Sequence, residues 1–272
     1  MPKPLFIELG EPDESLHIPI LYEDRSVLAI DKPAGWLLVP SDWRQTSRNL
    51  QAAIESSIAG GAFWARSRNL RFLRYVHRLD AETSGALLMI KNQNAMGAFG
   101  ALFESRQVEK VYLAVALGTP RETQWVCRLK LASDLNSPGR AKVDETTGKD
   151  AQTRFRVLAT RRDPRMGELA LLEARPLTGR THQIRVHLAE SHYPVLGDPL
   201  YSPPGAVPIG LMPAAFPLAL RAVALVYPDP FTGKRIRVTA PRTQFLKAFG
   251  FDRPTAEERT TPAPDTVQPE RE

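Results

Sequence analysis

The chain has 272 residues, 43% hydrophobic and 24% charged, which is enough to bury a full core and excludes a chain disordered throughout. Its 36 Lys and Arg outnumber 30 Asp and Glu for a net charge of +6, a balance that favours polyanionic partners without naming one. The single cysteine, Cys127, excludes a disulfide framework within the chain and suits a reducing cytoplasm; residues 1–12 lack the apolar segment of a signal peptide, and the apolar stretch 211–227 is interrupted by Pro213, Pro217 and Arg221, so a soluble cytoplasmic protein is expected.

Residues 1–19 are polar and proline-punctuated and read as an N-terminal extension. Two short strands, Ile20 to Tyr22 and Val27 to Ile30, lead into Asp31-Lys-Pro-Ala-Gly35, where Pro33 and Gly35 force a loop. Lys32 reads nearly as well as a simple surface lysine as it does as a site residue. Thr46 or Ser47 can cap a helix whose Leu50, Ile54 and Ile58 recur every four residues, and Gly60-Gly61 stops it. From Phe63 to Arg78 aromatic residues alternate with Arg66, Arg68, Arg71, Arg74 and Arg78. Such a mixture suits looped RNA, with guanidinium groups for phosphates and flat groups for unstacked bases. Each arginine taken singly reads equally well as a solvated surface charge.

The centre of the chain is Tyr75-Val-His-Arg-Leu-Asp-Ala-Glu-Thr-Ser-Gly85, followed by the apolar run Ala86 to Ile90. The run reads as a buried strand, which places Asp80 on a loop held by a sheet. A helix is expected from a cap at Asn94 through Met96, Phe99, Leu102 and Phe103, ending near Arg106. Lys110 to Leu117 then alternates, so that Lys110 and Tyr112 share the less apolar face and the alanines beyond leave room beside the tyrosine ring. Residues 122–149 form a polar excursion with a turn at Asn136, Pro138 and Gly139. Thr153 to Leu158 and Leu169 to Ala174 read as strands, and Thr181 opens a helix on which His182 and Arg185, three apart, share a face. Gly197-Asp-Pro199 closes a loop; Leu218 to Val226 and Arg235 to Thr239 form a final strand pair. Residues 253–272 have almost nothing to bury and read as a disordered tail, leaving 20–252 as the folded domain.

His77-Arg78-Leu79-Asp80 with Ala81 to Gly85 resembles the active-site motif of the RluA family of RNA pseudouridine synthases. Asp31 to Gly35, Lys110-Val-Tyr112, Gly148-Lys-Asp-Ala-Gln-Thr153 and Thr178 to Leu188, with Gly197-Asp198 and Tyr201 behind them, follow in the family's order. The resemblance covers roughly residues 20–241. It implies an α+β fold with a mixed, mainly antiparallel central sheet, flanking helices and a cleft across its middle, in the form without the small N-terminal S4 RNA-binding domain. It implies an isomerase acting on uridine in ribosomal or transfer RNA, with Asp80, Arg185 and Tyr112 as the catalytic set. Arg78, Lys110, Arg180, His182, Lys149 and Arg74 become RNA-contact candidates. No cofactor, metal or DNA partner is implied, and a monomer is the default.

The chain departs from the family pattern at Pro217-Leu-Ala-Leu-Arg-Ala222, where Arg221 replaces a histidine, and at Asp229-Pro230. Three other readings compete: a binding protein that kept the scaffold, a hydrolase pairing Asp80 with Glu82, and a metal site built from His77, His182 and His187.

Overall fold

A computed structural model describes residues 2–10, 15–38, 48–206 and 210–252. The expected caps Thr46 and Ser47 and the expected tail 253–272 lie outside the described residues. In chain order the strands are β1 (Phe6–Leu9), β2 (Leu16–Glu23), β3 (Val27–Lys32), β4 (Arg74–Tyr75), β5 (Ser84–Ile90), β6 (Glu109–Leu117), β7 (Gln124–Cys127), β8 (Leu131–Ser133), β9 (Ala141–Val143), β10 (Thr153–Asp163), β11 (Gly167–Pro176), β12 (Leu220–Pro228) and β13 (Arg235–Thr239). The helices are α1 (Leu50–Ala59), α2 (Phe63–Arg66), α3 (Gln93–Glu104), α4 (Gln183–Glu190) and α5 (Thr243–Ala248).

Eleven strands form one sheet in the order β1-β2-β3-β5-β12-β6-β11-β10-β7, with β4 added to β5 and β13 to β12; β8 and β9 make a separate hairpin. Among the described strands the pairing is antiparallel except for β5 with β12. The sheet is therefore mixed and mainly antiparallel, as expected. β5 is apolar on both faces because it is covered twice, once by α3 and its neighbours and once by the larger core around Leu87, Met89 and Leu113, to which β6 contributes Tyr112 to Ala116.

The described residues among 1–19 do not form a separate extension. Ile7 and Leu9 of β1 and Ile18 of β2 are buried, and the two strands pair over four residues, so this segment supplies the sheet's outer edge. Two helix starts shift. The Asn49 side chain caps α1 by accepting from the Ala52 N–H, and Asn92, not Asn94, caps α3 by accepting from Ala95.

The parallel pair requires a glycine. Gly85 has φ +114°, and a Cβ there would overlap the Ala222 backbone of β12. Only a residue without a side chain lets β12 lie against β5 and so come between β5 and β6.

Candidate active site

Asp80 sits on the loop that enters β5, and three elements fix that loop from behind. Lys32, at the end of β3, is fully buried, and its Nζ donates to the carbonyls of Pro33, Asp80, Ala81 and Thr83 at 2.9–3.2 Å. The Gly35 N–H donates to the Ala81 carbonyl at 2.8 Å. The reading of Lys32 as a surface lysine is thus overturned: the Asp31 to Gly35 loop is a clamp for the Asp80 backbone. Burial pulls the Lys32 ammonium down to about 8, against the opposing pull of Asp80 and Glu82. On the other side of the loop, His77 Nε2 accepts the Leu88 N–H of β5 at 3.0 Å, prolonging the ladder that β4 begins, while its ring stacks on Phe103. An accepting Nε2 carries no proton, so this imidazole is neutral; burial, then the charge of Lys110, pushes it down to about 3.

Arg185 comes from α4 and is 1% exposed. Asp198 holds one edge of its guanidinium, Nε to Oδ2 at 2.7 Å and Nη2 to Oδ1 at 2.8 Å. Nη1 is left facing Asp80 Oδ2 at 3.5 Å and Glu82 at 3.9 Å, and it is buried without a hydrogen-bond partner. Burial opposes the Arg185 charge, but hydrogen bonding to Asp198 and the charges of Asp198, Asp80 and Glu82 outweigh it and raise its pKa. Arg185 thus presents a permanent cation to the Asp80 carboxylate.

His182 also reaches Asp80, Nε2 to Oδ1 at 4.0 Å, but not from the helix face that spacing predicted. It precedes α4 in a left-handed conformation, φ 53°. That turn directs its ring toward both Asp80 and Tyr201, whose hydroxyl lies 2.9 Å from Nδ1. The guanidinium groups of Arg140 and Arg185 lie over the Tyr201 ring at 5.2 and 5.3 Å from its centre, and its hydroxyl exchanges hydrogen bonds with Ala141 of β9.

Tyr112 stands on β6 opposite Ala174 of β11 and Ala222 of β12, so small residues flank it on both neighbouring strands. It is 8% exposed and lines the cleft. Burial, then the charge of Asp80, raises its hydroxyl well above the usual tyrosine range, so in the free protein it is a neutral phenol. Lys110, two residues earlier, lines the same cleft and donates from Nζ to the Thr178 carbonyl at 2.9 Å.

Together Asp80, Tyr112, Arg185, His182, Arg78, Lys110 and Arg180 line one cavity of about 380 Å³. Lys149 and Arg74 do not line it. Lys149 lies exposed beside the β8–β9 hairpin, and Arg74 makes a surface ion pair with Glu55 at 3.1 Å. Within the arginine-aromatic stretch Arg66, Arg71, Arg74 and Arg78 are exposed and Arg78 lines the cleft, whereas Arg68 and Trp64 are structural. The Arg68 guanidinium is buried against Glu23 and the Trp64 and Pro4 carbonyls, and Trp64 is in the core. Arg221 is buried too; it binds Asp31 at 2.6 Å, Ser84 and the Pro241 carbonyl, tying β12 to β3 and β5 outside the cleft. Asp229 accepts from Phe231 and Thr232 and closes the β12–β13 turn.

The competing readings fare poorly. Glu82 does not line the cleft. His187 is buried against Thr153, and among the described residues no group of three or more His, Cys, Asp or Glu is arranged to hold a metal ion. None of the described helices is long and apolar enough to cross a membrane.

The sequence model of the family described as RNA pseudouridylate synthase matches residues 26–190. The chain belongs to that family. Its enzymes are isomerases that convert uridine in RNA to pseudouridine. The chain is 34% identical over 203 residues to the RNA pseudouridine synthase YhcT of Bacillus subtilis, a match spanning 72% of this chain and 64% of that protein. It is 32% identical to the dual-specificity RNA pseudouridine synthase RluA of Vibrio cholerae, over 72% of this chain and 73% of that one. Against RluA of Escherichia coli it is 30% identical over 86% of this chain and 98% of that protein. In fold it resembles human RNA pseudouridylate synthase domain containing 1, with a TM-score of 0.67 at 24% identity, covering 95% of this chain and all of that one. The matched region contains Asp80, Tyr112 and Arg185 but ends before Asp198 and Tyr201. In the sequence those two stand only as motif letters; the bidentate grip on Arg185 is not legible there.

Proposed function

We propose that this chain isomerises a uridine in structured ribosomal or transfer RNA, with Asp80 as the catalytic carboxylate and the target nucleotide extruded into the cleft. The observation that carries the reading is the approach of Arg185 Nη1 to Asp80 at 3.5 Å on the floor of a cleft that also holds Tyr112. The RNA class is supported by the net charge of +6 and by the relatives' names, which include dual-specificity enzymes and a ribosomal large subunit pseudouridine synthase. We take the protein to act as a cytoplasmic monomer.

The reaction breaks the N1–C1′ bond and makes a C5–C1′ bond, with no net redox change. An ionised carboxylate can bond C1′ as the base departs, or take the C2′ proton so that the sugar fragment waits for the rotated base. Either route starts from the Asp80 carboxylate, which the Arg185 guanidinium faces at 3.5 Å. Tyr112 supplies a flat wall for the uracil. As a neutral phenol it is a poor base at first, but neutralising Asp80 by bonding or protonation removes one of the two influences that hold its proton on. The hydroxyl then parts more readily with its own proton, which it must pass to water in the cleft as it takes the one from C5.

A stacked base cannot reach the cleft floor, and extrusion costs about a few kcal/mol. Arg78, exposed at the cleft rim two residues before Asp80, is suited to flank the vacated position.

The test is a pseudouridine map of RNA from cells lacking the protein, complemented with the intact chain or with Asp80→Asn. Loss of modification at one or a few uridines, restored only by the intact chain, is the expected result. Restoration by Asp80→Asn overturns the role of Asp80, and purified protein that binds transcripts without modifying them supports the binding-only alternative.

A further inference from the structure

A second groove of about 260 Å³ opens beside the catalytic cleft and shares a wall with it: Arg106, Lys110 and residues 176–178 line both. Beyond that wall it is bordered by Arg154 and Arg175, with Glu109 as its one carboxylate.

The charges in this groove are arranged at a cost. Arg154 of β10 and Arg175 of β11 are direct cross-strand partners, and like charges placed opposite one another destabilise a sheet. Arg175 is partly compensated by Glu173, at 2.9 Å. Glu109 pairs with Arg235 at 2.7 Å and its charge also acts on Arg175. Among the described residues Arg106, Lys110 and Arg154 have no carboxylate within ion-pair distance. Lys110 is the most costly of these: burial and then the charges of Arg106 and Arg180 pull its ammonium down to about 8. A half-buried cation beside two others, in a groove leading out of a nucleotide-sized cleft, is stabilised once an anion is supplied from outside.

Building on the RNA reading above, we propose that this groove is a second RNA subsite, which takes the backbone phosphates of the strand flanking the target uridine. Lys110 stands at the junction and holds the phosphate nearest the extruded nucleotide; the Arg154–Arg175 pair holds the strand farther along. Val108 and Leu177 give the groove apolar sides for ribose and base. Because these interactions are with phosphates, they add affinity and register without reading sequence.

The experiment measures binding of a uridylate trinucleotide and of a longer oligouridylate, across salt concentrations, to the full chain and to Arg154→Glu and Arg175→Gln. Arg162→Glu serves as control; it makes the same charge change on β10 at an exposed position beyond the groove. Arg154→Glu is expected to weaken the longer RNA by about tenfold, and to flatten the slope of log affinity against log salt by about 0.7 for each phosphate no longer held. The trinucleotide should be affected far less. Equal losses with both ligands, equal losses in Arg162→Glu, or an unchanged salt slope would overturn the subsite. Pseudouridine formation by the intact chain on RNA from the deletion cells is followed in parallel. If the intact chain makes none, the enzymatic reading fails; if it does while the Arg154 and Arg175 variants bind normally, only the subsite fails.

Discussion

Asp198 and Arg185 form a buried two-point pair, at 2.7 and 2.8 Å, that occupies one edge of the guanidinium and leaves Nη1 turned to Asp80. The same aspartate accepts the Leu200 N–H at 2.9 Å, so the loop after Gly197 is folded around its carboxylate. The cation that faces Asp80 is therefore aimed by a residue that does not itself line the cleft.

Replacing Asp198 by Asn keeps the shape and removes the charge. Breaking a buried pair in this way costs about 3–5 kcal/mol of stability. With Arg185 free to turn, pseudouridine formation is expected to fall by about 100-fold, with RNA affinity much less affected, since small misplacements near the reacting atoms are that costly. Single-turnover rates beside a melting curve check both effects, and an unchanged rate in a folded variant would remove the positioning role.

Lys32→Met should act on the same site from the opposite side. The carbonyls of Asp80, Ala81 and Thr83 lose their shared donor; Ala81 keeps the Gly35 N–H and Asp80 the Thr83 N–H, so the Thr83 carbonyl is the one left bare, at about 1–3 kcal/mol. The Asp80 loop then loosens before the sheet does. Amide exchange across residues 80–84 should accelerate more than exchange in β6; uniform acceleration would point to general destabilisation instead.

Gly85→Ala tests the closeness of β5 and β12. A methyl group at φ +114° against the Ala222 backbone combines strain and overlap, worth about 3 kcal/mol or more. The expected outcome is a lower denaturation midpoint with loss of activity, and a stable, active Gly85→Ala protein would show that the two strands can separate without harm.

His77 sets an acid limit. It is neutral when folded, with its proton affinity pushed down to about 3 from 6.5, so between those values the unfolded chain binds the extra proton. Its contribution to stability is complete above pH 6.5 and is lost as pH falls toward 3. In His77→Gln this group no longer titrates, and urea midpoints from pH 7 to pH 4 should fall less steeply than in the unaltered chain. Parallel curves would show that His77 is not responsible.

Tyr112 separates stacking from proton transfer. Tyr112→Phe keeps the ring and should retain RNA affinity while losing turnover; Tyr112→Ala should also lose the roughly 1–3 kcal/mol of a base stack. Equal turnover in Tyr112→Phe and the unaltered chain would assign the tyrosine to packing alone.

What the sequence determined by itself was set by neighbours in the chain. Alternation over Lys110 to Leu117 put Lys110 and Tyr112 on one side of a strand, and both line the cleft. The apolar run before Lys91 made a buried strand, with Asp80 on the loop before it. These features follow from the two-residue period of strands and from turn chemistry, which contiguous residues carry. Tertiary structure decided which partner each charge would find. Lys32 became a buried clamp because β3 pairs with β5, and Arg68 a buried ion-pair partner because Glu23 ends β2 beside it. Arg154 met Arg175 only through the register of β10 on β11, and Arg221 met Asp31, 190 residues away, because β12 lies against β5. The left-handed turn at His182, which brings its ring to Asp80, left no mark in a periodicity that read it as helix. Burial and ion pairing depend on residues that are distant along the chain and close only in the folded sheet, so the same lysine or arginine letter can stand for a solvated charge, a loop clamp or a ligand contact.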